Sequence, residues 1–457
     1  MQKNNKLVWF LFFILILIFL AIEFSGLKVP QPGDENVYFY MGNLVANGAV
    51  PYKDFFYAHP PLQLYVIAFV MKIFGFNIIA LKSISLISAI ITAVLIFKIS
   101  KEKFGNAEAL LSSLLFLFSY SVLFNSVFEF GIILAVMFLF LGLYFQLVKK
   151  NYFTAGIFFG IAGITRLLTL IPISIILADS FFKDKKVFRK TLTGFSIMFL
   201  MINLILIILF GLNYINPTYK YHILKSAESN SNFNEYINVI KLNWILFAAS
   251  FLSIFSKDKK KLSLFYFTAT AYLAFLIFSS RVFNFYFLVA IPFMAILGGC
   301  AVVELMKKIK SRKILMSLAI LLAGVFLWDA AANIMFLEKI AFRGFGRGND
   351  IADYLNTRID KSYQIFGDES TTPLIALMTE RKIIFNIVDT NPSVFKTGLV
   401  SLNDILMKLK EKKFVFIARN KQGISEFPEM REFLDKGCSL GSTFNDDADG
   451  MYLIYEC

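Results

Sequence analysis

Charge is what this chain has least of. Asp, Glu, Lys and Arg make up 17% of its 457 residues, against about 25% in an ordinary soluble domain. That scarcity excludes a single water-soluble globule, because too little polar surface is available to cover one. Cysteine occurs three times and histidine twice, and no CxxC or Cys/His ligand spacing is present, so a zinc finger or a thiol redox motif is excluded. Internal repeats and low-complexity tracts are missing as well, which argues against a solenoid. The net charge of +14 is confined to a few short stretches, which removes the usual reason to invoke nucleic acid.

What is abundant is apolar. Hydrophobic residues reach 57%, 54 of them Phe, and they come in blocks long enough to cross a bilayer. Leu7–Phe24 is the first, and it reads as a retained transmembrane helix because no small-x-small cleavage site follows it. Ile78–Phe97 is the second. Ala107–Val148 is too long for one crossing and is expected to fold back near "SYSVLFN". Tyr152–Phe182 has the same problem, with Thr165-Arg166 as the natural turn. Leu192–Phe210, Val239–Phe255, Leu262–Phe278, Phe285–Met306 and Ile314–Met335 complete a set of eleven expected crossings.

Basic clusters between the blocks orient them. Lys98, Lys101 and Lys103; Lys149 and Lys150; Lys183 to Lys190; Lys257 to Lys261; and Lys307 to Lys313 all fall on the cytoplasmic side if the N-terminus is inside,. "PPLQLYVIAFVMKIFG", from Pro60, is too short to cross and contains Lys72; it is expected as an interfacial helix. An odd number of crossings puts the C-terminus outside and leaves two long external loops, about 25–75 and 212–236.

From Glu338 onward charges mix and apolar runs shorten to strand length: "YQIFG", "KIIFNI", "KFVFIA" and "MYLIYE". Helical spacing lies between them, as in "SLNDILMKLKEK", and "GRGND" reads as a linker leading into a helix. Strands alternating with helices predict a small α/β domain. The expected organisation is therefore an all-α polytopic membrane domain, 1–337, followed by an extracytoplasmic α/β domain, 338–457. Cys438 and Cys457 lie in that domain and can pair if it is external; two free thiols are the equal alternative.

The few polar residues at membrane level then sort to the outer side: Asp34 and Glu35, His59 and His222, Glu129, Arg166 and Arg281. Each has a plain structural role open to it. Asp34 after Pro-Gly suits a helix N-cap. The arginines can snorkel to lipid phosphates, the histidines suit an interface, and Glu129 suits a helix start. Taken together they place carboxylates and guanidinium groups at one membrane surface. Arginine suits phosphate because its planar fork donates two hydrogen bonds at once. A carboxylate beside it can take a proton from an attacking hydroxyl. Charges of this kind in membrane segments are functional candidates by default.

The stretch "PGDENVYFYMGNLVANGAVPYKDFFYAHPPLQLYVIAFVMKIFGFNIIALKSIS" resembles the first external loop of the GT-C class of integral-membrane glycosyltransferases. The likeness is to the protein O-mannosyltransferase group that includes the lipid A aminoarabinose transferase. Asp34-Glu35, "GAVPY", "PPL" and "GFNIIALK" carry it, followed by Glu129 in "VFEFGIILAVMFLF", where the group often has Asp. Arg166 in "GITRLLTLIP" follows, where the group has Lys, and then Arg281, Tyr286 and Pro292 in "RVFNFYFLVAIPF". The resemblance covers roughly residues 1–300.

It implies that Asp34 is the catalytic base, with Glu35 assisting. Arg166 and Arg281 would bind the phosphate of a polyprenyl or dolichyl carrier. Glu129, Tyr286, His59, His222 and Lys53 are the further substrate-binding candidates. The expected reaction is inverting transfer of a sugar from a lipid-phosphate carrier to a glycan, lipid or protein hydroxyl at the outer membrane face. No cofactor is called for; a divalent metal is open to Asp34, Glu35, Glu129 and His222, but no spacing demands it. A lipid-sugar flippase is the rival reading. It would place charges along a path to both sides, and no inverted repeat with broken helices supports it. A membrane-anchored binding protein would not need so many crossings.

Overall fold

The computed structural model describes residues 2–225, 231–279, 282–340, 344–419, 422–446 and 450–457. It divides into two compact units. The first comprises Met1–Leu27, Lys82–Ile205 and Glu228–Phe342; the second comprises Lys28–Leu81, Leu206–Ala227 and Arg343–Cys457.

The first unit is helical and membrane-like. Among the described residues five helices are long and apolar enough to cross a bilayer: Asn5–Leu27, Ile78–Lys103, Lys185–Phe210, Lys259–Phe278 and Arg312–Lys339. A sixth span is counted if Phe233–Leu242 and Trp244–Phe255 are one crossing bent by 87°. The other apolar blocks form shorter helices. The 107–148 run contains Asn106–Leu117, Tyr120–Asn125 and Ile132–Leu147, broken at Phe118-Ser119 and again over 126–131. The 152–182 run breaks at Arg166, whose backbone is extended (φ −148°, ψ 124°) between Tyr152–Thr165 and a short 3-10 turn. By length alone the eleven expected crossings are thus five or six full spans plus shorter apolar helices.

Two local devices set this packing. Gly156 and Gly194 let the helices Tyr152–Thr165 and Lys185–Phe195 touch backbone to backbone. A Cβ at Gly156 would lie 2.0 Å from the Thr191 carbonyl oxygen, and one at Gly194 would lie 2.2 Å from that of Phe153. Small residues allow such approach where water supplies no driving force. Asn243, which is buried, sits at the 87° bend. Its Oδ1 accepts from the Ser121 N–H at 3.1 Å and its Nδ2 donates to Ser121 Oγ at 2.9 Å.

The second unit joins the first-loop segment to the C-terminal module. Its sheet has the order β1-β2-β4-β3, with β1 Gln364–Gly367, β2 Phe414–Arg419, β3 Ser439–Asp446 and β4 Gly450–Glu456. β1 and β2 run parallel and the other pairs antiparallel. Three of the four expected strands are present. "KIIFNI" is instead a 3-10 turn, Ile384–Asn386, with only an isolated bridge from Ile383 to Ile365. The chain reverses there because Phe385 and Asn386 adopt positive φ, a geometry a strand cannot hold. β3 was not expected from sequence: its residues are mostly exposed and show little apolar alternation. Cys438 and Cys457 form a disulfide, which closes the alternative of free thiols.

The first-loop segment is structured. Asp34–Ala46 and Leu62–Phe74 are helices that meet where Gly42 seats Ile67, 2.3 Å from the position of a Cβ on that glycine. The second helix has 13 residues, buries Leu64, Ile67, Ala68 and Met71, and exposes Phe69, Ile73 and Phe74. It is too short to span a bilayer and carries one apolar face outward. The first helix is tied to the C-terminal module by the Ile383 N–H, which donates to the Tyr40 hydroxyl at 2.7 Å.

Candidate active site

The sequence-derived residues fall into two clusters, one in each unit.

In the membrane unit the centre is the irregular stretch 128–130, just before the helix Ile132–Leu147. Three elements converge on it. Ser85 donates through Oγ to the Phe128 carbonyl at 2.8 Å and to Glu129 Oε2 at 2.6 Å. The Arg166 guanidinium donates through Nη2 to the Phe130 carbonyl. Lys82 Nζ lies 5.1 Å from the Phe128 ring centroid. Lys82 and Glu129 are fully buried and Arg166 is 5% exposed. Helix breaks make this possible: the carbonyls of Phe128 and Phe130 lie outside a helix, so no intrahelical N–H claims them and side chains can donate to them,. Tyr286 belongs to the same neighbourhood through Phe285, whose ring stacks on Phe130 with centroids 4.9 Å apart and meets the Tyr286 ring at 5.1 Å. The Tyr286 carbonyl accepts from Tyr272 Oη at 2.9 Å. Arg281 lies outside the described residues.

Sequence reading passed over Lys82. The signal was there: it is the one lysine inside the apolar run beginning at Ile78, and a buried lysine at membrane level is rare unless it serves a charge.

In the second unit Asp34 is the first residue of its helix. Gly33 holds the cap position, and no side chain makes a cap hydrogen bond, so the N-cap role foreseen for Asp34 is not the one it has. Its carboxylate is exposed and sits in the first turn, where the helix dipole favours negative charge. Glu35 points the other way and is fully buried. Asn36, also buried, donates through Nδ2 to the carbonyls of Gln31 at 2.6 Å and Ser370 at 3.0 Å.

His59 and His222 stack with ring centroids 5.1 Å apart. His59 Nε2 lies 3.2 Å from Tyr38 Oη, and His222 Nε2 lies 2.7 Å from the Ala58 carbonyl. Tyr52, held at positive φ, donates to the His59 carbonyl at 2.7 Å. The two histidines are therefore one structural pair that joins the loop 51–59 to the helix Tyr221–Leu224. Lys53 is exposed on the turn beside them.

The C-terminal module adds carboxylates that sequence reading did not single out. Asp368 Oδ1 accepts from the Ser370 N–H at 3.1 Å, Ser370 Oγ at 2.5 Å and the Thr371 N–H at 3.1 Å. This folds the loop that leaves β1. Glu369 and Asp389 follow, linked by Asn391, whose Nδ2 lies 3.4 Å from Glu369 Oε1. Lost hydration pushes the Glu369 carboxyl well above the usual range, with Asp368, Asp389 and Asp34 adding to the rise. Burial pushes Asp389 up to about 6; the Asn391 N–H and Lys225 oppose this and Asp34 reinforces it. No signal in the sequence connects these acids to Asp34, because they lie more than three hundred residues further along the chain. Among the described residues no group of three or more His, Cys, Asp or Glu is arranged to hold a metal ion.

Residues 58–212 match the family described as dolichyl-phosphate-mannose-protein mannosyltransferase. No curated protein matches the chain in sequence. Among solved structures, ArnT from Cupriavidus metallidurans bound to undecaprenyl phosphate superposes with a TM-score of 0.67 at 14% identity, over 97% of each chain. Its apo state gives 0.68 at 14% identity, over 100% of this chain and 98% of that one. The archaeal oligosaccharyltransferase AglB from Archaeoglobus fulgidus, in complex with an inhibitory peptide and a dolichol-phosphate, gives 0.58 at 12% identity. That match covers 99% of this chain and 74% of AglB. Along its whole length the chain shares the fold of ArnT, and over residues 58–212 it is similar in sequence to the dolichyl-phosphate-mannose-protein mannosyltransferases.

Proposed function

We propose that this protein transfers a sugar from a polyprenyl- or dolichyl-phosphate carrier to an acceptor hydroxyl at the outer membrane face, with inversion at the anomeric carbon. The observation that carries the reading is the buried cluster on 128–130, where Lys82 and Arg166 bring two cations and Glu129 a carboxylate into the apolar interior of the first unit. Buried cations at membrane depth suit an anionic group, and a lipid phosphate would join the Glu129 carboxylate there. The solved relatives support it, since ArnT is bound to undecaprenyl phosphate and AglB to a dolichol-phosphate.

In this reading Asp34 takes the proton from the acceptor hydroxyl as its oxygen attacks the anomeric carbon. The bond from that carbon to the phosphate oxygen breaks, and its electron pair goes to the phosphate. Arg166, Arg281 and Lys82 stabilise the growing negative charge. Glu129 holds the segment through Ser85. Glu35, buried behind Asp34, serves the fold of the loop. Tyr286, His59, His222 and Lys53 remain assigned to substrate. The organisation proposed is a transmembrane catalytic domain, 1–337, and an extracytoplasmic α/β domain, 338–457, with the N-terminus inside. Eleven crossings follow if the shorter apolar helices pair into spans.

The test is a transfer assay with a panel of lipid-phosphate sugars and purified protein. Asp34→Asn is expected to lower turnover by on the order of 10²–10⁴-fold, the usual contribution of a general base, with donor binding retained. Full transfer by that variant would remove Asp34 as the base. Movement of the donor between vesicle leaflets without any acceptor would instead favour a flippase.

A further inference from the structure

The C-terminal module holds the helix that begins at Asp34 in its middle through Ile383 and Tyr40, and beside Asp34 itself through Ser370. The Gly33 N–H donates to the Ser370 carbonyl at 3.0 Å, and Asn36 Nδ2 donates to the same oxygen at 3.0 Å. One carbonyl thus grips the backbone before Asp34 and the side chain two residues after it. Ser370 is not a free-swinging loop residue: Asp368 Oδ1 binds its N–H and its hydroxyl. That loop leaves the C-terminal end of β1, which pairs in parallel with β2. The open end of parallel strands is where α/β folds place working loops.

The second loop at this edge is held in the same way. Thr390 Oγ1 donates to the Gly367 carbonyl at 2.7 Å, which seats Asp389 beside the first loop. The charged groups that act on Asp389 and Glu369 here are Asp34, Asp368 and Lys225, besides each other.

We propose that the loops 368–371 and 389–391 are the positioning machinery of Asp34: the Ser370 carbonyl sets its direction through Gly33 and Asn36, and the Asp389 carboxylate strengthens it as a base. This rests on the reading of Asp34 as general base. The reasoning is electrostatic. A negative neighbour makes a carboxylate readier to accept a proton, so Asp34 takes the acceptor's proton more readily once Asp389 is ionised. The C-terminal module is then part of the catalytic apparatus through these loops, although it touches no reacting atom.

The full-length protein, assayed for transfer from a lipid-phosphate sugar across pH 4.5–8, tests this. The wild type is expected to gain rate as pH rises through about 6, where Asp389 ionises. Asp389→Asn should lose that rise and lower kcat by roughly tenfold, with KM for the donor unchanged. Asp389→Glu should restore the rise. Asn36→Ala, which frees one side of the grip, should lower kcat by roughly ten- to a hundredfold, again at constant donor KM. A pH profile identical in wild type and Asp389→Asn overturns the electrostatic part. An Asn36→Ala enzyme with unchanged kcat overturns the grip. Should Asp34→Asn itself retain full transfer, the functional reading fails first; should Asp34→Asn be inactive while both other variants match the wild type, only the positioning role falls.

Discussion

Arg166 shows how much one residue's position in a helix break can decide. Its backbone is extended, its side chain is buried, and its guanidinium reaches the Phe130 carbonyl. A lysine there would keep the charge and lose the planar fork. Arg166→Lys is therefore expected to weaken carrier binding by roughly tenfold, the worth of about one charge-assisted hydrogen bond, while leaving detergent-solubilised protein intact. Isothermal titration with the polyprenyl phosphate alone would measure it, and equal affinity would remove Arg166 from the phosphate site. Arg166, Glu129 and Asp34 were legible in sequence because a charge in an apolar neighbourhood stands out. Lys82 stood out less, since a lysine close to a block's start reads as a membrane-edge residue. Asn36 and Ser370 were not legible at all. Both are common polar residues, and their bond joins positions 334 apart with nothing local to announce it.

At the level of elements, the breaks matter more than the helices. The apolar runs predicted helices and the over-long ones predicted folding back, and the chain does break at Ser119 and Arg166. Asn243 is the element-scale device that sequence reading missed, because a lone Asn in an apolar block looks like a tolerated polar residue. Its two bonds to Ser121 lie at a bend of 87°. Asn243→Leu should cost about 1–2 kcal/mol, two buried hydrogen bonds at their measured membrane worth. A thermal-shift series in detergent would report it, and an unchanged melting temperature would show that the bend holds without them. The strand expected at 382–387 is absent for a related reason. "KIIFNI" has strand composition, but Phe385 and Asn386 turn the chain with positive φ. β3 has a weak pattern of its own and exists because β4 lies beside it. Sheet pairing is a property of partners, and one segment does not carry it.

Across the whole molecule, the disulfide closes a loop whose ends are 19 residues apart. It ties the start of β3 to the end of β4. Chain-entropy reasoning gives about 3 kcal/mol for a loop of that size, an upper figure here because Ser439 and Glu456 are already paired across the ladder. Cys438→Ser together with Cys457→Ser should lower the melting temperature of the full chain and leave the lipid-phosphate affinity unchanged; no shift in melting would mean the hairpin needs no covalent lock. A bond of this kind persists in an oxidising compartment, the side of the membrane proposed for the C-terminal module.

The second unit is assembled from three separate stretches of chain, 28–81, 206–227 and 343–457. A ribosome makes the Asp34 helix early and its Ser370 anchor late. Until Ser370 is made, the proposed base therefore lacks its anchor, so this end of the Asp34 helix is completed only late in synthesis.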